Sequence, residues 1–466
     1  MAIYLPPDDE KMWDTWLFQD GDVFHLFFLS EGKIGRAVSG DLIHWKHMPP
    51  ISIQTNAGDW DEKGMRITGF TVKCKDQYLL SYGPGSGKPI GILTSMDLHE
   101  WERYPANPVL LPGGPYSANE WRDLSSCYDP DKKIWHGYVC ADQEKAPCIA
   151  HLTSPDYFHW DYHDPVFASE DFVEYEVPEY FTLGDKHYLL FSSLRSRKDT
   201  SGRQDAGGTW YVVSDQRNGP YHLPQNPLLL GFGRGRNDHY VGRIIDFHGQ
   251  PLLYHQTFGE GRPIVWGFPK AVRQINHEEI KLYFWENLCV LKDSILHEQS
   301  SLSCSSAPGK INLKMLNVHA SDLMVTFSLD YGSVSEAGIV WHFAELRPKG
   351  PETNTESGVG LLINPGLDLI SMVNVRRIRN FGSDTVICCL RDDFSGFGLS
   401  QGLLQVRILV RAHMAEIYLN DQWIFSMDIS DVPRKGDMGI LVKSGSAVIH
   451  DLCISSLKPL EVSNEL

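Results

Sequence analysis

The sequence predicts an all-β protein, a five-bladed β-propeller followed by a C-terminal β-sandwich. Three observations carry that reading: a repeat of fixed period over the first two-thirds of the chain, a second motif in step with it, and a change of texture near residue 300. Each repeat is a polar turn opening into a short run of aromatic and aliphatic residues. The copies are GDVFHLFF from Gly21, KDQYLLSY from Lys75, KKIWHGYV from Lys132, GDKHYLLF from Gly184 and HGQPLLYH from His248, with starts 54, 57, 52 and 64 residues apart. A period of roughly 50 to 60 residues holding several strands marks radial repetition and not an open sheet. The second motif is Ser39-Gly-Asp41 leading to Trp45, Ser95-Met-Asp97 leading to Trp101, Ser154-Pro-Asp156 leading to Trp160, and a degenerate Ser214-Asp215. A propeller gathers one strand of each blade around an axis, so residues distant in sequence meet in one pocket.

At 466 residues the chain exceeds the size at which a single core keeps growing, and two domains are expected. The stretch from His297 to Lys310 is Ser-rich and ends in Pro-Gly, which reads as a linker. The propeller is therefore placed at 1–296, the linker at 297–310 and the sandwich at 311–466. Beyond the linker, strand candidates such as DLMVTFSLDYG and GIVWHFAEL follow closely on one another. Asn420-Asp421 sits between EIYL and WIFSM as the turn of a hairpin.

Composition narrows the function. A net charge of −17 argues against nucleic acid, which needs a concentrated basic surface. Arg234, Arg236 and Arg243 are the one local basic grouping, and they hint at a phosphate pocket. No run of about 18 apolar residues predicts a membrane span. The N-terminus lacks the charged and apolar regions of a signal peptide, and nine cysteines without CxxC spacing read as free thiols. The cytoplasm is the expected compartment. No HExxH or comparable histidine spacing occurs, so no metal and no cofactor are expected. Gly83-Pro-Gly-Ser-Gly87-Lys88 has the wrong spacing for a phosphate loop, with Pro89 where Ser or Thr should stand, and reads as a turn.

Carboxylates are the promising groups. Asp14, in Trp13-Asp14-Thr15-Trp16, opens into the first repeat; Asp123, in Trp121-Arg122-Asp123, precedes the third; Glu174, Glu176 and Glu179 precede the fourth. Taken singly, each acid reads as a solvated turn residue. Their shared placement at blade entrances predicts convergence at one end of the axis. That geometry suits glycoside cleavage, which needs an acid for the leaving oxygen and a carboxylate facing the anomeric carbon. The partner is then a carbohydrate.

The segment from Ile34 to Pro50, with Ser39-Gly-Asp41-Leu42 and Trp45, resembles the first-blade signature of glycoside hydrolase family 32. Arg122-Asp123 is similar to that family's Arg-Asp-Pro motif, Tyr175-Glu176-Val177-Pro178-Glu179 to its Trp-Glu-Cys-Pro-Asp motif, and the run from Gln256 to Gly267 to its fifth-blade segment. HMAEIYLNDQ echoes a segment of the family's C-terminal sandwich. The resemblance implies a retaining hydrolase of β-fructofuranosides. In it Asp14 is the nucleophile, Glu176 the general acid and then base, and Asp123 the stabiliser of the transition state. Trp13, Trp60, Thr68, Arg122 and His239 are the expected sugar contacts. Glu174 and Glu179 rival Glu176 for the acid's role.

Departures loosen the substrate. Trp13 replaces the Asn that precedes the family's nucleophile, Leu29-Ser30 replaces its first-strand Gln, and Ile34 and Arg36 replace a Trp and a His. The shortened spacing from Asp14 to Gly21 comes nearer to the family 43 arabinofuranosidases and xylosidases, which invert. A sugar-binding propeller without activity is the reading from a different class. The C-terminal domain leaves room for carbohydrate binding or a homodimer.

Overall fold

The protein is described by a computed structural model over residues 3–7, 10–194, 207–231, 239–257, 264–346, 355–380, 383–395, 399, 402–430 and 432–459. It divides into two compact units, one built on Ala2–Leu282 and the other on Tyr283–Pro459.

The first unit is a propeller with four four-stranded antiparallel blades, each a meander in chain order. The first holds β1 (Trp13–Asp20), β2 (Val23–Ser30), β3 (Lys33–Ser39) and β4 (Lys46–Ile51); the second β5 (Phe70–Cys74), β6 (Gln77–Tyr82), β7 (Gly91–Ser95) and β8 (Glu102–Arg103). The third holds β9 (Trp121–Asp129), β10 (Ile134–Gln143), β11 (Ala146–Ser154) and β12 (Asp161–Tyr162). The fourth holds β13 (Glu176–Leu183), β14 (Lys186–Ser193), β15 (Gly208–Ser214) and β16 (Leu228–Gly231). A further antiparallel set follows, β17 (His239–Phe247), β18 (Gln250–Thr257), β19 (Val265–Trp266) and β20 (Lys270–Gln274), in which β18 pairs with the other three. The first strands are neighbours in a cycle, β1 to β5, β5 to β9, β9 to β13, β13 to β17 and β17 back to β1.

The sequence repeat is the hairpin between the first and second strands. Its polar turn carries a left-handed residue each time: Gly21, Lys75, Lys133, Gly184 and His248. Two-residue hairpin turns need positive φ to match the twist of the flanking strands, which explains the Gly-Asp, Lys-Asp and His-Gly pairs. The apolar residues that follow are buried between neighbouring blades. Trp16, Phe27 and Leu29 share a core with Leu80, Tyr82 and Leu93, as Tyr138 and Ile149 do with Phe191 and Trp210. Full burial of such a side chain is worth about 1.5–3 kcal/mol.

The second motif is a turn at the end of the third strand. Ser39 Oγ accepts from the Leu42 N–H at 2.9 Å, and Asp41 Oδ1 accepts from Ile43 and His44 at 2.9 and 2.8 Å. The same pattern recurs at Ser95 with Asp97 and at Ser154 with Asp156. These side chains satisfy backbone donors while Leu42, Leu98 and Tyr157 take left-handed φ values and bury their side chains.

After β21 (Ile280–Phe284), the second unit is also all-β. Its strands are β22 (Lys292–Met315), β23 (Leu323–Asp330), β24 (Glu336–Leu346), β25 (Thr355–Asn364), β26 (Leu369–Asn380), β27 (Ser383–Ser395), β28 (Leu403–Arg411), β29 (Met414–Leu419), β30 (Gln422–Asp428) and β31 (Asp437–Leu457). They pair antiparallel in the order β30-β29-β28-β23-β31-β24-β25-β26-β27, with β22 also on β31. One apolar core joins residues of β23 through β26 with residues of β28 through β31. Asn420 and Asp421 turn β29 into β30 with φ of 48° and 61°, as expected of a two-residue hairpin.

Residues 297–310 are not a linker: they lie in β22, and His297 to Ser306 pair with Ile454 to Gly445 of β31. Leu302 and Cys304 are buried while Ser301, Ser303 and Ser305 face solvent, so the serines occupy the exposed face of a strand. The Pro308-Gly309 signal marks a break in register, with Gly309 at φ +70°, and not the domain boundary.

Candidate active site

The site grows from a defect repeated in the first strands. In β1 the register steps from Trp13↔Leu29 to Trp16↔Phe27, in β9 from Arg122↔Cys140 to Ser125↔Tyr138, in β13 from Glu176↔Ser192 to Glu179↔Leu190, and in β17 from Tyr240↔Gln256 to Arg243↔Tyr254. Each is a bulge in which two residues oppose one. The first of the two is left-handed every time: Asp14 at φ 47°, Asp123 at 60°, Val177 at 49° and Val241 at 52°. Such conformations cost about 1 kcal/mol or more per residue and persist where the surroundings enforce them. β5 has no such step, and its pairing runs evenly from Phe70↔Ser81 to Cys74↔Gln77. The bulges make Trp13, Arg122, Glu176 and Tyr240 equivalent positions, each followed by the left-handed residue.

Arg122 ties the acids together. Its Nη1 donates to Glu176 Oε1 at 2.7 Å and to Asp123 Oδ2 at 3.1 Å, its Nε to Glu120 at 2.9 Å and its Nη2 to Glu174 at 3.3 Å. Asp123 is buried, and its carboxylate also accepts from the Thr68 N–H at 2.9 Å and the Val177 N–H at 3.3 Å. The bulge in β13 thus frees a backbone donor that orients the aspartate of β9. Glu176 takes a further hydrogen bond from the Tyr240 hydroxyl on its other oxygen. Asp14 is held by Gln256, whose Oε1 accepts from the Asp14 N–H at 2.6 Å and whose Nε2 donates to Oδ1 at 3.4 Å.

One guanidinium thus faces four carboxylates, and Glu176 is the one among them whose environment favours the proton. Burial, with Glu174 and Asp123 adding to it, pushes Glu176 up to about 7, although Arg122 and Tyr240 pull the other way. Asp14 is raised to about 6 by burial and by Asp123, against the lowering effect of Thr68, Gln256 and Arg122. Two buried carboxyls raised above the ordinary range are candidates for a proton donor and a nucleophile.

The two other acids of this segment have partners of their own. Glu179 is buried with both Nε and Nη2 of Arg243 at 2.5 Å from its Oε2, and is fully engaged there. Glu174 lies before β13 and divides its oxygens between Arg122 and the Leu194 N–H. The same ion pair corrects the expected basic grouping: Arg243 belongs to Glu179 and also contacts the Gly69 carbonyl at 3.4 Å, while Arg234 and Arg236 lie outside the described residues.

The expected sugar contacts divide. Arg122 and Thr68 join the carboxylates directly, and Trp13 stands half-buried beside Asp14 at the mouth of β1. Trp60 packs on Tyr82 with ring centroids 5.7 Å apart, and its neighbour Asp61 is fully buried between Tyr82 and Arg103. Trp60 also packs against the core shared by the first two blades. His239 is fully buried, bonded to Thr257 at 3.1 Å with its ring against His255, so it offers no surface to a sugar in this state. Sequence reading missed Tyr240 and Gln256: Tyr240 precedes the fifth repeat as Glu176 precedes the fourth but is not acidic, and Gln256 follows the fifth repeat. The one available signal for Gln256 was its place two residues beyond Tyr254, on the same face of a run otherwise apolar. Among the described residues no cluster of His, Cys, Asp and Glu has a metal-binding arrangement.

Residues 17–234 match the profile of the glycosyl hydrolases family 32 N-terminal domain. The likeness to glycoside hydrolase family 32 lies in this stretch, a little under half of the chain. The family 32 match takes in Arg122, Asp123 and Glu176, while Asp14 lies just before it and Tyr240 and Gln256 just after. Curated relatives include an acid β-fructofuranosidase of Phaseolus vulgaris, 22% identical over 254 residues, covering 50% of this chain and 37% of the bean protein. A sucrose-6-phosphate hydrolase of Escherichia coli is 29% identical over 172 residues, covering 34% of each. The matched stretches thus span about a third of these relatives' own length. Among solved structures, a family 32 β-fructofuranosidase of Bombyx mori superposes with a TM-score of 0.68 at 16% identity, covering 97% of this chain and 94% of that one. Fructan 1-exohydrolase IIa of Cichorium intybus superposes with a TM-score of 0.65 at 16% identity, covering 98% and 97%. At such identities the structural likeness is one of fold.

Proposed function

We propose that this protein is a retaining glycosidase of β-fructofuranosides, acting on sucrose, a fructooligosaccharide or a fructan. The observation that carries the reading is the placement of Asp14 and Glu176 at equivalent bulges, with Arg122 joining Glu176 to Asp123 and burial holding both carboxyls above the ordinary range. Asp14 attacks the anomeric carbon as the glycosidic C–O bond breaks, and Glu176 gives its proton to the departing oxygen. Glu176, now a carboxylate, takes a proton from water, whose oxygen displaces Asp14 from the anomeric carbon. Asp123, fixed by three donors, holds sugar hydroxyls and the charge that develops on the ring. Names of the relatives support the substrate class, since both a β-fructofuranosidase and a fructan exohydrolase are among them. The same reading makes β17, β18 and β20 the fifth blade, supported by the closed cycle of first strands, and makes the second unit a β-sandwich.

The test is sugar release from sucrose, a fructooligosaccharide, levan and the nitrophenyl glycosides of arabinofuranose and xylose, with the anomer of the first-formed product read by NMR. Release of fructose with retention is expected. Arabinose or xylose released with inversion would replace this reading with the family 43 kind, and binding without turnover would replace it with a sugar-binding propeller.

The pH dependence follows from the two carboxyls. Asp14 must be ionised, so kcat/KM rises as pH climbs through about 6; Glu176 must be protonated, so it falls again through about 7. A bell with its maximum between these values is expected from initial rates across pH 4–9, and a rate that keeps climbing above pH 8 contradicts the assignment of Glu176.

A further inference from the structure

We propose that Gln256 is a positioning residue for the nucleophile, clamping the Asp14 main chain and carboxylate at once with a single carboxamide. The inference rests on the proposed hydrolase and names a residue that this reading does not require. β1 is an innermost strand, and its bulge takes the Asp14 N–H out of the ladder with β2. A backbone donor left without an acceptor is costly, so something must receive it. Gln256 Oε1 does, at 2.6 Å, and this fixes the orientation of the amide, because Nε2 then faces Asp14 Oδ1 at 3.4 Å. The carboxamide is fully buried, and its backbone is pinned between Tyr240 of β17 and Trp266 of β19. Two residues earlier on the same face of β18, the Tyr254 hydroxyl accepts from the Leu17 N–H at 2.7 Å. β18 therefore reaches β1 twice, once at plain backbone and once at the reactive side chain.

Only the second reach has a chemical consequence. Asp14 stands at φ 47°, where an aspartate is tolerated but not favoured, and the amide holds it there. The Nε2 donor favours the ionised carboxylate, the form that attacks. The two halves of the clamp separate by substitution. Gln256→Glu keeps an acceptor for the Asp14 N–H, removes the donor to the carboxylate and adds a like charge. Gln256→Met has nearly the same shape and removes both halves. Tyr254→Phe removes only the neighbouring strap.

The experiment is the pH profile of kcat and kcat/KM on the sugar that the wild type cleaves, for the full chain and the three variants, with a thermal melt of each. Gln256→Glu is expected to move the acid limb upward by about one pH unit or more, because two adjacent carboxyls share a proton. Gln256→Met is expected to lower kcat roughly 100-fold with KM little changed, the scale on which misplaced reacting groups act. Tyr254→Phe is expected to lower the melting temperature and leave the acid limb in place. If folded Gln256→Glu retains the wild-type acid limb and kcat, the clamp is wrong while the hydrolase stands. If the wild type cleaves no glycoside, the hydrolase reading itself is wrong.

Discussion

Asp14→Asn is expected to lower kcat/KM on a fructoside by at least about 10⁴-fold, the scale on which removal of a covalent nucleophile acts. An amide cannot form the glycosyl ester, and Asp123, the neighbouring acid among the described residues, is held by Arg122, Thr68 and Val177. The substitution is nearly isosteric, and the Asp14 N–H keeps its bond to Gln256 Oε1, so the main chain should stay in place. The side-chain amide must turn its oxygen toward Gln256 Nε2 to avoid opposing two donors. KM should therefore change little. Stopped assays on sucrose and on an activated aryl fructoside check this, and both should fall together, because a nucleophile is needed whatever leaves. Equal loss with a doubled KM would still agree; wild-type turnover by the folded variant would not.

Glu176→Gln is expected to behave differently on the two substrates. A general acid contributes about 10²–10⁴-fold, and only where the leaving oxygen needs a proton. Sucrose cleavage should fall by that factor, while the first step on an aryl fructoside should be largely spared and the glycosyl-enzyme should accumulate, because its hydrolysis still lacks a base. The alkaline limb of the pH profile should vanish with the group that makes it. There is also a thermodynamic consequence. Folding raises Glu176 from the ordinary carboxylate range to about 7, so folding disfavours its charged form. The cost is absent at low pH, where the folded and unfolded chains both hold the proton, grows as pH rises past the ordinary carboxylate value, and is complete above about 7. Glu176→Gln removes it, so the variant should melt above the wild type at pH 8 and near it at pH 4. Calorimetry at the two pH values decides the matter, and a lower melting temperature at pH 8 would oppose the assigned environment.

How far the site was legible depends on the kind of constraint behind each residue. The hairpin repeats and the Ser-x-Asp turns were legible because local chemistry dictates them. Left-handed φ at Gly21 or Gly184 and the side-chain acceptors of Ser39 and Asp41 act within a few residues of themselves. Asp14, Asp123 and Glu176 were legible by their place before a repeat. Glu179 is paired with Arg243, which lies on another strand and gave no local sign of its partner. The contacts of Tyr240 and Gln256 gave no local sign for the same reason, since each acts across the ring of first strands. The linker was misplaced because serine content speaks for turns and says nothing about a long strand with one wet face.

The bulges have a meaning for how such a protein changes over time. Four dipeptides, Trp13-Asp14, Arg122-Asp123, Glu176-Val177 and Tyr240-Val241, occupy one and the same backbone socket. Exchanging the dipeptide in a socket leaves its backbone in place, with the strain borne by the surrounding sheet. New chemistry then needs two codons and no new loop. Valine is the residue least at ease in a left-handed conformation, and aspartate is among the more tolerant. Val177 and Val241 are thus the two sockets in which the surroundings must hold the backbone hardest.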